Sequence, residues 1–153
     1  LSFVRMSYGQ PSIYTWCDDD GVQHEIAQGE GGEQGDPLMP LLFALGMHDA
    51  LGEMAEQLLP GEHICAHLDD VYAVCEPGRV RTIFDLLTDA LGRVAGIELH
   101  RGKTKVWNKA GVRPAGLDDL GDEVWSPLGI KVLGTPIGTR DFVDEYVSQR
   151  VAD

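Results

Sequence analysis

The feature that most constrains this chain is a pair of adjacent carboxylates, Asp69-Asp70, set between two short apolar runs in residues 64–75. Each run is too short for a helix and the two nearly touch in sequence, so the pattern predicts a β-hairpin turning at the acidic pair. Tight hairpin turns usually recruit Asn-Gly or Asp-Gly, because they need positive φ; here no glycine is present. Two like charges flanked by apolar strands repel each other and lose solvation, an arrangement that a cation relieves. Hard divalent ions such as Mg²⁺ take carboxylate oxygen and keep water positions for substrate phosphates. The plain alternative is an exposed acidic turn. A second alternative comes from His63, Cys65, His67 and Asp69, which alternate onto one strand face. They form a partial zinc ligand set that needs further ligands from elsewhere.

The rest of the chain reads as hairpins alternating with helices. Residues 12–17 and 22–27 are β-rich and are joined by Asp18, Asp19, Asp20 and Gly21, which predicts a first hairpin with a solvated acidic turn. A stretch with four glycines, residues 28–35, then leads into Asp36-Pro37, an N-cap residue followed by the residue best tolerated at a helix start. Free N–H groups at such a start suit a phosphate. The spacing predicts a helix over 37–59, with Pro40 harmless in its first turn and Pro60-Gly61 as its stop. A second amphipathic helix is predicted over 79–95, ended by Gly96. A strand over 105–107, a Gly/Pro-rich loop to residue 127, a strand near 130–133 and an amphipathic helix begun by Thr139 complete the pattern. The opening Leu1, Val4 and Met6 are too few to assign.

Composition narrows the class. Of 153 residues, 43% are hydrophobic and 24% charged, which supports a buried core and excludes a wholly disordered acidic tail. No apolar run approaches the roughly 18 residues of a membrane span, and no secretory leader is visible. Three cysteines without a CxxC pair favour a reduced, intracellular protein. The start at Leu1 and the amphipathic last helix lead us to expect a piece of a longer chain.

Twelve Lys and Arg against 25 Asp and Glu give a net charge of −13, which at face value argues against nucleic-acid binding. The imbalance is local. Residues 1–76 contain Arg5 against fourteen acids, whereas residues 77–153 hold eleven of each sign. Between residues 93 and 113, Arg93, Arg101, Lys103, Lys105, Lys109 and Arg113 are opposed only by Glu98. That segment suits a polyanion contact or simply a solvated surface.

Four ordered segments resemble one family. Gln34 to Pro40 followed by Leu41-Leu42-Phe43 is similar to the QGDPLSPLLF signature of reverse transcriptases of the non-LTR retrotransposon type. Leu68-Asp69-Asp70 falls where that family carries its hydrophobic-x-Asp-Asp hairpin. Gly96-Ile97-Glu98-Leu99 with Lys103-Thr104 resembles the GLxxNxxKT segment, and residues 132–138, VLGTPIG, resemble the LG segment of the primer-grip region. Together these cover roughly residues 28–138. Order and spacing separate the chain from viral RNA-dependent RNA polymerases, which pair a Gly-Asp-Asp hairpin with a different helix-leading motif.

The resemblance implies an α+β fold, a right-hand polymerase palm with antiparallel hairpins packed on helices and incomplete at both ends. The whole of residues 1–153 would be a partial reverse transcriptase domain, and the activity RNA-directed DNA synthesis by two-metal nucleotidyl transfer with Mg²⁺. Two ions about 4 Å apart activate a primer 3′-hydroxyl and stabilise the leaving pyrophosphate. Asp69 and Asp70 would be the catalytic metal ligands and Lys103 would assist the leaving phosphates. Gln34, Gly35, Asp36 and Pro37 would line the template and incoming nucleotide, and Leu133 and Gly134 the primer grip. The implied partners are an RNA or DNA template with primer and deoxynucleoside triphosphates, and the implied location is nuclear.

There are departures: Met39 stands where the signature has Ser, and His67-Leu68 precede the acidic pair instead of aromatic-Ala. The family's third metal-binding Asp lies upstream of the segments matched here, and fingers and thumb are likewise outside them, so the 153 residues alone are expected to be inactive. The acidic balance further implies a weak grip on primer-template. The alternative function is a non-catalytic remnant or domesticated palm-fold module that binds protein or metal.

Overall fold

The computed structural model describes residues 2–29 and 35–152 and divides into two units, residues 1–39 and 40–153. Among the described residues the architecture is α+β, with four α-helices and three two-stranded antiparallel hairpins.

In the first unit, α1 (Ser2–Tyr8) precedes the hairpin of β1 (Ile13–Cys17) and β2 (Gln23–Ala27), with Ile13 opposite Ala27 and Cys17 opposite Gln23. The acidic turn is built around Asp18. Its carboxylate accepts the Asp20 and Val22 N–H groups at 3.1 and 2.8 Å and meets His24 Nε2 at 2.7 Å, while Gly21 takes φ 78°. These hydrogen bonds, His24 foremost, hold the Asp18 carboxyl below its ordinary value. Asp18 is therefore the cap of the turn, with Asp19 and Asp20 exposed in it.

In the second unit, α2 (Met39–Glu56) leads to the hairpin of β3 (His63–His67) and β4 (Asp70–Val74), then to α3 (Val80–Ala90). The α2 boundaries fall inside the predicted 37–59, because the Gln57 and Leu58 N–H groups bond three residues back and tighten the end of the helix before Pro60-Gly61. A π-turn, Leu91–Ala95, extends α3 and is stopped by Gly96 in the left-handed region at φ 66°, as its sequence position predicts.

One core cluster joins Met47, Ala50 and Met54 of α2 to Ile83, Leu87, Ala90 and Leu91, with Ile64 and Val71 of the hairpin packed against it. A second cluster, Leu117, Leu120 and Val124, packs against the first half of α3 through Val80 and Phe84. Helix α3 thus carries both clusters, and this anchors the loop over 105–127. The strand predicted over 105–107 reduces to a single parallel bridge, Val106 with Trp125. Its partner segment enters from a 3₁₀ turn, Asp122–Val124, and runs straight into Pro127, which has no N–H to extend a ladder.

The final hairpin, β5 (Gly129–Val132) and β6 (Thr135–Gly138), is covered by α4 (Arg140–Ala152). Thr139 opens α4 as the sequence predicts, its Oγ1 accepting the Phe142 N–H at 3.4 Å. Gly129 and Gly138 are required by close approach: a Cβ on either would collide with the Phe142 ring. No described helix is long and apolar enough to cross a membrane.

Candidate metal and primer site

The β3–β4 register fixes which side chains share a face. His67 pairs with Asp70, Cys65 with Tyr72 and His63 with Val74, and directly opposed residues point to the same side. The inner face holds the pairs Ile64–Ala73 and Ala66–Val71, of which Ile64 and Val71 pack on the core. Asp70, Tyr72, His67, Cys65 and His63 therefore share the outer face.

The turn itself sits one residue earlier than the sequence predicts. Leu68 and Asp69 are its central residues and Asp70 opens β4. Leu68 supplies the positive φ that a glycine would usually provide, at 55°. Both carboxylates are exposed. Asp70 Oδ2 accepts a hydrogen bond from the Tyr72 hydroxyl at 3.1 Å.

The second hairpin tip lies next to that hydroxyl. The Leu133 N–H donates to Tyr72 Oη at 3.3 Å, and the Tyr146 hydroxyl of α4 donates to the Gly134 carbonyl at 3.0 Å. Leu133 and Gly134 are the central residues of the β5–β6 turn, both with positive φ, 49° and 81°. Two tyrosine hydroxyls thus hold this turn, one at each of its central residues. Burial pushes the Tyr72 phenol up from its ordinary value, the Leu133 N–H opposes that, and the Asp70 carboxylate adds to it.

Asp70 and the Leu133–Gly134 turn, from two separate sequence segments, are therefore joined through the Tyr72 hydroxyl, while Asp69 lies next to Asp70 in the β3–β4 turn. Lys103 ends an exposed 3₁₀ turn, Arg101–Lys103, and forms no ion pair with either carboxylate among the described residues. Much of the basic segment is engaged inside the fold. Arg93 binds Glu53 at 2.5 Å and Asp89 at 3.5 Å, Arg113 binds Asp122 at 3.0 Å, and Lys105 Nζ donates to the Glu123 carbonyl at 2.5 Å. Arg101, Lys103 and Lys109 form no ion pair among the described residues.

Of the glycine-rich signature, Gln34 lies outside the described residues. Gly35 takes φ 96°, and Asp36 acts as a cap. Its Oδ1 accepts the Leu38 N–H at 2.8 Å and its Oδ2 accepts the Tyr8 hydroxyl at 2.7 Å, bonds that hold the carboxyl below its ordinary value, Tyr8 most strongly. Pro37 then leads into Met39, the first residue of α2.

A divalent cation fits the Asp69-Asp70 pair in part. Two exposed carboxylates are the oxygen donors such an ion takes, yet among the described residues no group of three or more His, Cys, Asp or Glu side chains is placed to hold a metal. His63, Cys65 and His67 alternate on the outer face as expected, but Asp69 leaves the strand for the turn, so the four do not form a row. An open groove of about 470 Å³ between α2 and α3, lined by Glu53, Glu56, Leu86, Asp89 and Arg93, contains none of these residues.

Sequence reasoning missed Tyr72 and Tyr146. The period of two along β4 would have put Tyr72 beside Asp70. Nothing in the sequence links either tyrosine to a turn about 60 or 12 residues away. No family model, curated protein or solved structure matches this chain.

Proposed function

We propose that the chain is the palm core of an RNA-directed DNA polymerase of the non-LTR retrotransposon type, the Asp69-Asp70 hairpin serving as its divalent-cation site. The observation that carries this reading is the meeting of the acidic hairpin with the Leu133–Gly134 turn. These two segments resemble the catalytic and primer-grip motifs of the family, and Tyr72 hydrogen-bonds to both. The core-packed hairpin and the α+β architecture add support.

In this reading Asp69 and Asp70 present oxygen donors at an exposed, core-anchored tip. A bound pair of Mg²⁺ ions would supply activation of the primer hydroxyl and charge neutralisation at the leaving pyrophosphate. Leu133 and Gly134 offer a fixed backbone turn against which the primer end is set. Lys103 contributes a point charge for phosphate, with Arg101 beside it. The resemblance assigns Gln34, Gly35 and Pro37 to the incoming nucleotide, and Asp36 caps its own turn through the Leu38 N–H. A nuclear location belongs to the same reading.

A second reading is a palm-fold module that binds protein or metal without catalysis. Primer extension separates the two readings. The assay uses the longest reading frame that holds these 153 residues, beside its Asp69→Ala variant. Mg²⁺-dependent extension lost in the variant supports the polymerase. Extension unchanged in the variant removes the metal assignment, and no extension by either protein favours the binding module.

A further inference from the structure

The hairpin of β1 and β2 is exposed on both faces: every residue of either strand is exposed, Trp16 and Ile26 by more than half. A two-stranded hairpin bare in this way is marginal in water, and contiguous exposed apolar residues mark a surface that binds something. The register sorts its side chains. Tyr14 lies opposite Ile26 and Trp16 opposite His24, so these four share one face, while Ile13, Thr15 and Cys17 share the other with Ala27, Glu25 and Gln23. On the first face the Trp16 and His24 rings lie 5.1 Å apart, and the Asp18 carboxylate meets His24 Nε2 at 2.7 Å, so the imidazole beside the indole is held in place.

The edge of β1 is open as well. The hairpin is a two-stranded sheet, and the bonds from the Gln28 N–H to the Ser12 carbonyl and from the Asp18 N–H to the Val22 carbonyl set the phase of its ladder. Alternation between those bonded pairs turns the backbone groups of Ile13, Thr15 and Cys17 away from β2, along an edge with no strand beside it among the described residues. Both aromatic side chains of the hairpin, Tyr14 and Trp16, stand on this strand. Charge then selects the occupant. Residues 12–27 hold Asp18, Asp19, Asp20 and Glu25 with no Lys or Arg, and Asp19 and Asp20 form no ion pair among the described residues. Nucleic acid, an anionic lipid surface or the same hairpin of a second copy would each be repelled, whereas a cationic chain is attracted.

We infer that the outer edge of β1 takes an extended, basic segment of a partner protein as a third strand, its Arg or Lys side chains over Tyr14 and Trp16 and its apolar side chains beside Ile13 and Thr15. The inference stands apart from the polymerase reading and needs neither a metal nor a nucleotide. Main-chain bonds to Ile13, Thr15 and Cys17 supply the pairing, and the alternation of the added strand puts every second side chain on the aromatic face. There a guanidinium or ammonium group meets the face of the Trp16 indole, the ring that attracts a cation most strongly, with the carboxylates of the Asp18–Asp20 turn at the end of the same strand.

The probe is a synthetic peptide alternating arginine and valine, as long as β1 and blocked at both ends, titrated at low ionic strength into the 153-residue chain while backbone amide signals are followed. The expected result is a saturable shift of the Ile13, Thr15 and Cys17 amides with slower exchange at all three, and no change at Val106, whose amide bonds the Val124 carbonyl at 2.7 Å. Thr15→Pro removes one outward N–H and spares the β1–β2 ladder, as the Asp18 amide bonded to the Val22 carbonyl reports; it should weaken the peptide about threefold to tenfold. Trp16→Ala should weaken it about threefold. Asp19→Asn with Asp20→Asn should weaken it about twofold to fivefold and flatten its salt dependence. No response at β1 to the basic peptide, equal binding by wild type and Thr15→Pro, or equal binding of a peptide alternating glutamate and valine overturns the inference. So does a shift of the same amides with protein concentration alone, which assigns the edge to a second copy, or with single-stranded oligouridylate, which assigns it to nucleic acid.

Discussion

Leu68 and Leu133 are the two non-glycine residues with positive φ among the described residues, and each occupies the first central position of a hairpin turn that Tyr72 touches or adjoins. Left-handed backbone at a side chain of this kind costs about 1–2 kcal/mol. Leu68 is nearly half exposed, so removing its side chain loses little packing. Leu68→Gly is expected to raise stability by about 0.5–1 kcal/mol, the relief of strain exceeding the added freedom of the unfolded chain. Denaturant midpoints of the two proteins check this; a clear loss of stability would show that the Leu68 side chain is needed where it lies.

Glu62 links the end of α2 to the start of α3. It is buried, accepts Arg79 through Nε and Nη2 at 3.0 and 3.2 Å, and accepts the Leu59 N–H at 2.8 Å. The Arg79 hydrogen bonds, followed by the Leu59 N–H, hold its carboxyl below the ordinary glutamate value. A lowered folded value stabilises the folded state above the unfolded-chain pKa, about 4.3 for a free glutamate, and that contribution fades as pH falls through the folded value. Wild type should therefore exceed Glu62→Gln in stability at pH 6 to 7, with the gap closing as pH falls below about 4. A gap independent of pH would contradict the ion pair.

The core prediction concerns α3, on which both clusters pack. Met54 faces it in one cluster and Val124 in the other, both almost fully buried. Met54→Ala should cost about 2–4 kcal/mol and Val124→Ala a smaller amount, on the order of 1–3 kcal/mol, by chemical denaturation. The clusters share only α3, so the losses in the double variant should nearly add.

Close approach makes Gly138 irreplaceable. A Cβ there would meet the Leu128 carbonyl and the Phe142 ring, so Gly138→Ala should cost about 1–3 kcal/mol and loosen α4 from the last hairpin. Faster amide exchange at Thr139, which bonds the Leu128 carbonyl at 2.7 Å, would report the same event.

Much of this fold is legible in local residue order. The Asp18–Gly21 turn, Pro60-Gly61, Gly96 and Thr139 each mark an element boundary by a chemistry confined to a few neighbouring residues. The acidic hairpin is legible from its two apolar runs, but its turn lies one residue early because Leu68, with no turn preference of its own, takes the left-handed position. The short strand at 105–107 is misread because apolar alternation says nothing about whether a partner strand can continue past Pro127. The site divides in the same way. Asp69, Asp70, Leu133 and Gly134 stand out by pattern, whereas Tyr72 and Tyr146 acquire their roles from contacts between distant segments. By composition the basic stretch suits a polyanion contact or a solvated surface, and Arg93 and Arg113 are held by acids that lie on other turns or elements.

The central claim, that the Asp69-Asp70 hairpin is a divalent-cation and nucleotide site, is tested most directly by binding of a deoxynucleoside triphosphate to the 153-residue chain with and without Mg²⁺. The account predicts Mg²⁺-dependent binding that weakens at least about tenfold in Asp69→Ala and several-fold in Lys103→Ala, as the loss of a metal ligand and of a phosphate contact require. Binding that is indifferent to Mg²⁺, or equal in Asp69→Ala and wild type, would contradict it.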